Sequence, residues 1–308
     1  MKAIIESIQA HTRFEIITHA WPDEDAVGSS TALSLGLARL GKSVRVVYPT
    51  AAPDMLILNA PIKAASAFVP EISFLVDVSD PEMIKDVRPS GTVAIIDHHR
   101  TVTDYGEIRW VDSNRSSASE MVFELLRAMH IETDDAMAAN LYMGIFGDTG
   151  GFTHANTTLR VFEIAGDLVR SGADPHAIAS RLKRNKPLRW YRVLCLAIDR
   201  LIIKGGVYGS YLTRHDFESL DATTQDASGI VEELASLAGA ELCILARDGD
   251  SDTVRCSMRS RSTPAARLTA EAFGGGGHDR AAGFTIAGRA VELIDTIIAE
   301  GQRWIKTV

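Results

Sequence analysis

Residues 14–25, FEIITHAWPDED, decide how the first half of the chain folds. Phe14–Thr18 is a short apolar run of strand type that leads directly into His19, Asp23 and Asp25, and a helical pattern over Ala26–Leu40 follows at once. A strand, a polar break and a helix form the repeating unit of an α/β domain. Leu33, Leu37 and Leu40 recur at i, i+4 and i+7, so this helix buries one stripe against the sheet. The strand pattern returns at Val44–Tyr48, Ile72–Val76 and Thr92–Ile96, and the helical one at Ser119–Met129 and Ala136–Phe146. The alternation predicts an α/β domain with a mostly parallel sheet flanked by helices.

The whole chain has 308 residues and is 46% hydrophobic, enough for two domains with a core each, which excludes a mainly disordered protein. A net charge of −8 excludes a generally basic nucleic-acid coat, so any polyanion must meet a local patch. Cys195, Cys243 and Cys256 are odd in number and form no CxxC pair, which argues against a disulfide framework and for a reducing compartment. The N-terminal segment is interrupted by Glu6, Gln9 and His11 and lacks a signal-peptide core, and no apolar run approaches the ~18 residues of a membrane span. A cytoplasmic protein with no membrane partner is expected. Residues 181–192, RLKRNKPLRWYR, hold six basic residues and no acidic one, and Pro187 interrupts the helical pattern there, so the domain boundary is placed in this segment. Beyond it, strands are expected at Leu201–Ile203, Val207–Thr213, Leu242–Ala246 and Thr253–Met258, and helices near Gly229–Leu237 and Val291–Val308, which describes a smaller α/β domain.

The chemistry concentrates at element ends of the first domain. Besides His19, Asp23 and Asp25, one strand runs into Asp77, another into Asp97-His98-His99, and Asp148 is expected to follow the helix Ala136–Phe146. In open α/β sheets, ligands bind at the carboxyl ends of the strands. Taken singly, Asp23 or Asp25 reads as a helix N-cap and Asp148 as a turn residue. Taken together, this many carboxylates on one edge would repel one another without cations. Mixed carboxylate and imidazole donors suit Mn²⁺, Fe²⁺ or Zn²⁺. A pair of such ions about 3.5–4 Å apart is a recurrent device for hydrolysing phosphate esters.

The ordered set His19-x-x-x-Asp23-x-Asp25, Asp77, Asp97-His98-His99 and Asp148 resembles the DHH phosphoesterase superfamily. The resemblance implies that His19 and Asp23 hold one Mn²⁺, that Asp25, His98 and Asp148 hold the other, and that Asp77 bridges them. It also implies that His99 faces the substrate phosphate and that Asp97 supports the histidines from behind. Two positions depart from the family pattern. Glu24 stands where relatives commonly have Gly, so its side chain must turn out of the site or add a charge to it. Thr153-His154 stands where many relatives have Arg after the Phe, so one phosphate contact is missing or falls to His154.

In the second domain, Gly274-Gly275-Gly276-Gly277-His278 lies deep inside the predicted elements, where glycine lets backbone N–H groups approach a phosphate. Strand alternation sets Arg255, Ser257 and Arg259 on one face, a row that suits an anion. Arg261 and Arg267 read as solvated surface residues, and Trp190 and Tyr191 as helix packing. Arg259 with the glycine run closely resembles the DHHA1 domain of nanoRNases and related phosphodiesterases, with Ser260, Gly275, Gly276, Gly277 and His278 as further substrate contacts. The resemblance thus implies a DHH catalytic domain over 1–185, a linker helix over 186–200 and a DHHA1 substrate-binding domain over 201–308.

That architecture implies a phosphohydrolase with two Mn²⁺ per active site. It would degrade short single-stranded RNA, a few nucleotides long, to 5′-mononucleotides and convert 3′-phosphoadenosine 5′-phosphate to AMP, and a homodimer is the assembly that the resemblance implies. Cyclic dinucleotide cleavage is the rival within the same architecture, and a nucleotide sensor without catalysis is the rival outside it. Family II pyrophosphatase ranks low, because its second domain carries a different signature.

Overall fold

The computed structural model describes residues 1–52, 54–58, 68–100, 102–184, 186–249 and 252–305, and the chain divides into two compact units, Met1–Asn185 and Lys186–Val308. The first unit opens with α1 (Lys2–Ala10), then β1 (Arg13–Ile17), α2 (Glu24–Arg39), β2 (Ser43–Val47), β3 (Ile72–Val76), β4 (Thr92–Asp97) and β5 (Ile108–Val111). Four helices follow: α3 (Ala118–Ala128), α4 (Asp135–Asp148), α5 (Leu159–Arg170) and α6 (Pro175–Lys183). All neighbouring strands are parallel, in the order β2-β1-β3-β4-β5. The sequence order therefore reverses between β1 and β3, and that switch point is where open α/β sheets form their ligand crevice.

β3 is buried along its whole length, as expected for a central strand covered on both faces. Phe14 stacks on Phe74 across β1 and β3, ring centroids 5.7 Å apart, within a core that includes Ile16, Ile72, Ile96, Leu33 and Leu37. Each such fully buried side chain contributes about 1.5–3 kcal/mol relative to exposure. Helix starts are fixed by side-chain caps: Asp23 accepts from Ala26 N–H, Ser117 from Glu120, Asp134 from Met137, Thr158 from Val161 and Asp174 from Ala177. Each cap stabilises its helix by about 1 kcal/mol.

Helices α2 and α4 pack through glycine. A Cβ on Gly28 would run into the Asn140 carbonyl, and one on Gly144 would run into Ser119 Oγ and come within 2.8 Å of Asp25 Oδ1. The missing side chains let the start of α2 and the end of α4 approach, which sets Asp25 and Asp148 side by side.

The second unit contains α7 (Leu188–Asp199), β6 (Ile202–Lys204), β7 (Val207–Leu212), α8 (Arg214–Ser219) and α9 (Ile230–Ala235). After them come β8 (Leu242–Asp248), β9 (Thr253–Ser260), α10 (Ala265–Ala272), β10 (Gly276–His278), β11 (Ala281–Ala287) and α11 (Ala290–Ile305). Its sheet runs β10-β11-β9-β8-β7-β6, antiparallel except for β7 beside β8. One face packs on α10 and α11; the other packs on α7 and α9. The expected linker helix is α7, and its Trp190, Val193 and Ala197 belong to this unit's core. The last three residues of the helix expected over Val291–Val308 lie outside the described residues. Among the described residues, no helix is long and apolar enough to cross a membrane.

Candidate metal centre

β1, β3 and β4 end at one edge of the parallel sheet, and their ends deliver His19, Asp77 and Asp97-His98-His99 to the same place. Asp77 has φ +60, a left-handed conformation that a non-glycine residue adopts at a cost of about 1–3 kcal/mol. The strained turn sets its carboxylate between two histidines. Oδ2 lies 3.6 Å from His19 Nε2, and Oδ1 lies 3.5 Å from His98 Nε2. Asp23 Oδ1 adds a contact to His19 Nε2 at 3.7 Å. On the other side, His98 Nε2 is 3.0 Å from Asp148 Oδ2 and 3.8 Å from Asp25 Oδ2.

Several of these groups are held from behind. Asp25 receives backbone N–H groups from Ala118 (2.6 Å) and Ser119 (2.8 Å) at the start of α3. Asp97 accepts from His99 N–H at 3.1 Å and lies 2.7 Å from His99 Nδ1, so it orients His99 in particular. Trp21 N–H donates to His19 Nδ1 at 3.2 Å, which directs Nε2 towards Asp23 and Asp77. The α3 amides and Trp21 N–H were not foreseen from the sequence. Ser117-Ala-Ser-Glu120 is a helix-start signature and could have flagged the former.

The electrostatics are those of a crowded acidic site. Burial and then the charges of Asp77 and Asp148 push the Asp25 carboxyl well above the usual carboxylate range. Burial likewise raises Asp148, although His98 pulls against it. Asp77 goes the other way: burial opposes its charge, but His19, His98 and His99 hold it well below the usual range. For His19, burial disfavours the cation, yet hydrogen bonds and charge from Asp23 and Asp77 prevail and push it up to about 10. His98 and His99 are raised in the same way, by Asp148 and Asp77 and by Asp97 and Asp77 respectively. Protons on these groups balance a charge that divalent cations can balance instead.

The donors fit such cations. His19, Asp23 and Asp77 form one group whose ligand atoms lie within 4.8 Å of one another, and Asp25, His98 and Asp148 form a second. The separations of 3.0–3.8 Å are close to the ~3–3.6 Å between neighbouring ligands of an ion bonded at about 2.0–2.2 Å. Asp77 Oδ1 is buried without a hydrogen-bond partner, an arrangement that costs about 1–3 kcal/mol and that a cation relieves.

The two departures from pattern resolve locally. Glu24 lies against Gly147 of α4, where a Cβ would come within 2.5 Å of the Glu24 Cβ. It nevertheless adds an acidic group beside the site, and burial and the Asp23 charge both raise its carboxyl, favouring the neutral form. His154 turns back on its own loop, with Nδ1 3.2 Å from the Asp148 carbonyl, and Thr153 donates to the Gly150 carbonyl. Asp148 is the last residue of α4 rather than a residue after it, because the helix continues two residues past Phe146.

In the second unit, the glycine run is neither linker nor open loop. Gly276–His278 forms β10, paired with Ala281–Gly283 of β11. Gly275 is required by the fold, since a Cβ there would strike the Gly283 carbonyl and Phe284, and Gly277 has φ +141 against Ala282. Gly276 meets nothing within 4 Å and has no positive φ, so the fold does not demand glycine there. Arg255, Ser257 and Arg259 do share a face. Arg259 is bound to Glu232 at 2.5 Å. Ser260 points to the opposite face and donates to the Thr263 and Asp279 carbonyls, so its hydroxyl fastens a turn instead of facing a ligand beside Arg259. Arg247 lies directly across from Arg255, and burial and that second positive charge lower it to about 10.

Several surface readings change. Arg261 donates to the Ala240 and Leu237 carbonyls, and Arg267 binds Asp279 and Glu271. The basic segment 181–192 is largely engaged within its own units: Arg181 donates to the Asp54 and Ile57 carbonyls, and Arg189 pairs with Asp226. Trp190 is buried and donates to the Ser228 carbonyl, whereas Tyr191 is exposed and only edges against the Trp190 ring.

Comparison with known proteins gives this geometry a lineage. Residues 13–145 match the DHH family, N-terminal domain, and residues 206–307 match the DHHA1 domain. The chain is 30% identical over 279 residues to a bifunctional oligoribonuclease and PAP phosphatase NrnA of Thermus thermophilus, covering 89% of this chain and 84% of that one. The chain belongs to the DHH family. Within the family, the NrnA of Bacillus subtilis is 26% identical over 317 residues, covering 96% of this chain and 98% of the relative. Among solved structures, an exopolyphosphatase-related protein from Bacteroides fragilis superposes with a TM-score of 0.89 at 24% identity, covering 99% of this chain and 98% of that one, a likeness of fold. The DHH match ends at residue 145, so the helix end that carries Asp148 lies just beyond it.

Proposed function

We propose that this DHH protein is a phosphohydrolase with two divalent ions, Mn²⁺ by donor chemistry, that degrades very short oligoribonucleotides to 5′-mononucleotides and converts 3′-phosphoadenosine 5′-phosphate to AMP. The observation that carries this reading is the Asp77 carboxylate, one oxygen towards His19 and the other towards His98, between two His/Asp groups. The Thermus and Bacillus relatives, aligned over most of their lengths, supply the substrate class. Working as a homodimer in the cytoplasm belongs to the same proposal.

In this reading, His19 and Asp23 hold one ion, Asp25, His98 and Asp148 hold the other, and Asp77 serves both. The ions, when bound, supply a water nucleophile at neutral pH and offset the charge that builds on the phosphoryl oxygens. The chain's own part is placement. His99, oriented by Asp97, donates to a phosphoryl oxygen, and its raised pKa keeps the donating proton in place. Arg259, His278 and the backbone at Gly276 bind the remainder of the substrate through phosphate or sugar oxygens, with Gly275 and Gly277 shaping the strand that presents them.

The test is product analysis of the purified protein with Mn²⁺. A dinucleotide-to-decanucleotide RNA series, 3′-phosphoadenosine 5′-phosphate, a cyclic dinucleotide and pyrophosphate are supplied in parallel, with an Asp97→Asn/His98→Ala double variant as control. Fast release of mononucleotides from the shortest RNAs and of AMP, lost in the double variant, is expected. Faster cleavage of the longest RNAs, or cleavage of the cyclic dinucleotide alone, overturns the substrate assignment. Nucleotide binding without turnover leaves a sensor.

A further inference from the structure

We infer that Trp21, with Lys85 over its ring, is a nucleobase platform: the base of a nucleotide substrate stacks on the indole while its phosphoester lies at the His19–Asp77 cluster. This rests on the phosphohydrolase reading and adds to it a residue that selects for the base. Trp21 is 52% exposed and is the one tryptophan among the exposed large apolar side chains of the described residues. An indole buries about 150–250 Å² when it is fully covered, so the exposed half of this one offers a sizeable apolar surface to a base. In the chain it stands between the ligand candidates His19 and Asp23, and its backbone N–H contacts the His19 ring.

The platform is built in advance. Trp21 N–H donates to His19 Nδ1 at 3.2 Å, Ala20 N–H donates to the Met83 carbonyl at 2.8 Å, and the Thr50 hydroxyl donates to the Ala20 carbonyl. Pro22 fixes the next φ. Lys85 Nζ lies 5.1 Å from the indole centroid, a cation–π contact that holds the ring's orientation. Lys85 follows the turn Pro81–Ile84 and has φ +51, so a left-handed backbone aims its side chain. Every base has a π-face, and a stacking platform therefore accepts nucleotides without regard to sequence, as a scavenger of short RNA requires.

The experiment compares wild type, Trp21→Phe and Trp21→Ala on 3′-phosphoadenosine 5′-phosphate and on the same ribose bisphosphate lacking the base. Trp21→Ala is expected to raise KM for the nucleotide about tenfold with kcat within about twofold, while Trp21→Phe stays near wild type and the base-free substrate gives all three the same KM. An equal rise on both substrates, or none on either, overturns the platform. A second readout needs no turnover: AMP added to chelator-treated protein should quench tryptophan emission in wild type and not in Trp21→Phe. Quenching without hydrolysis of any phosphoester retains the platform and rejects the phosphohydrolase, whereas hydrolysis without quenching does the reverse.

Discussion

The two units solve opposite electrostatic problems. At the sheet edge of the first, carboxylates crowd until burial and mutual repulsion raise Asp25 and Asp148, and raised histidines hold the balance. On the sheet face of the second, Arg247 and Arg255 stand across from each other and burial lowers both. The first surface gathers negative charge that divalent cations can offset, and the second gathers positive charge that suits an anion. The difference also separates two ways of placing function. The acidic groups hang from the ends of strands and helices, where a single residue slip would scatter them; the arginines lie along strands, where alternation alone gives them a common face.

The largest effect tests the acidic side. Asp77→Asn should lower kcat about a thousandfold or more while circular dichroism stays native, because it removes the one carboxylate among the described residues that contacts both His19 and His98. Asp97→Asn, which acts through His99, should cost only about 10–100-fold. Equal losses in the two variants would remove the distinction between ligand and support.

Metal removal comes next, and its sign follows from His19. A histidine whose pKa is raised from 6.5 to about 10 on folding stabilises the folded state fully below about pH 6.5 and loses that contribution as pH rises through about 10. Chelated protein should therefore show a Tm that falls across this window. Ions bind by displacing these protons, so added Mn²⁺ should stabilise more strongly at the higher pH. A Tm increment from Mn²⁺ that is the same at pH 6 and pH 9 would break the comparison.

Smaller effects sharpen it. Gly144→Ala should destabilise by about 1–3 kcal/mol and weaken ion binding in calorimetry, since its Cβ strikes Ser119 and crowds Asp25. On the arginine side, Gly275→Ala should destabilise comparably, whereas Gly276→Ala should leave denaturant stability within about 0.5 kcal/mol and raise KM. Arg247→Gln should reduce the salt dependence of oligonucleotide binding without loss of stability, because it relieves a pair of like charges.

Much of this was legible in the sequence for reasons that differ by region. Parallel strands buried on both faces announce themselves as apolar runs, so Ile72–Val76 was read to the residue and the ends of β1, β3 and β4 brought His19, Asp77 and Asp97 together as expected. The extent of α4 was not legible, because Gly147 weakens the helical signal just where tertiary packing carries the helix on to Asp148. β10 was hidden because glycine carries no strand preference; its pairing with β11 comes from backbone hydrogen bonds that composition does not record. The opposite orientation of Ser260 is a consequence of the same alternation that aligned Arg255 and Arg259, and strict period-two counting separates it from them.

Asp23 accepts from Ala26, Asp25 from Ala118 and Ser119, and Asp97 from His99, all through backbone amides. The scaffold of the centre is thus wired into the main chain, and one divalent ion can replace another without refolding a loop. By donor chemistry such a centre would favour Mn²⁺, Fe²⁺ or Zn²⁺ over Mg²⁺ and leave the choice among those three to supply. Which metal it carries then follows the relative abundance of free ions in its surroundings, making the catalyst a reporter of local metal supply as much as a product of its fold.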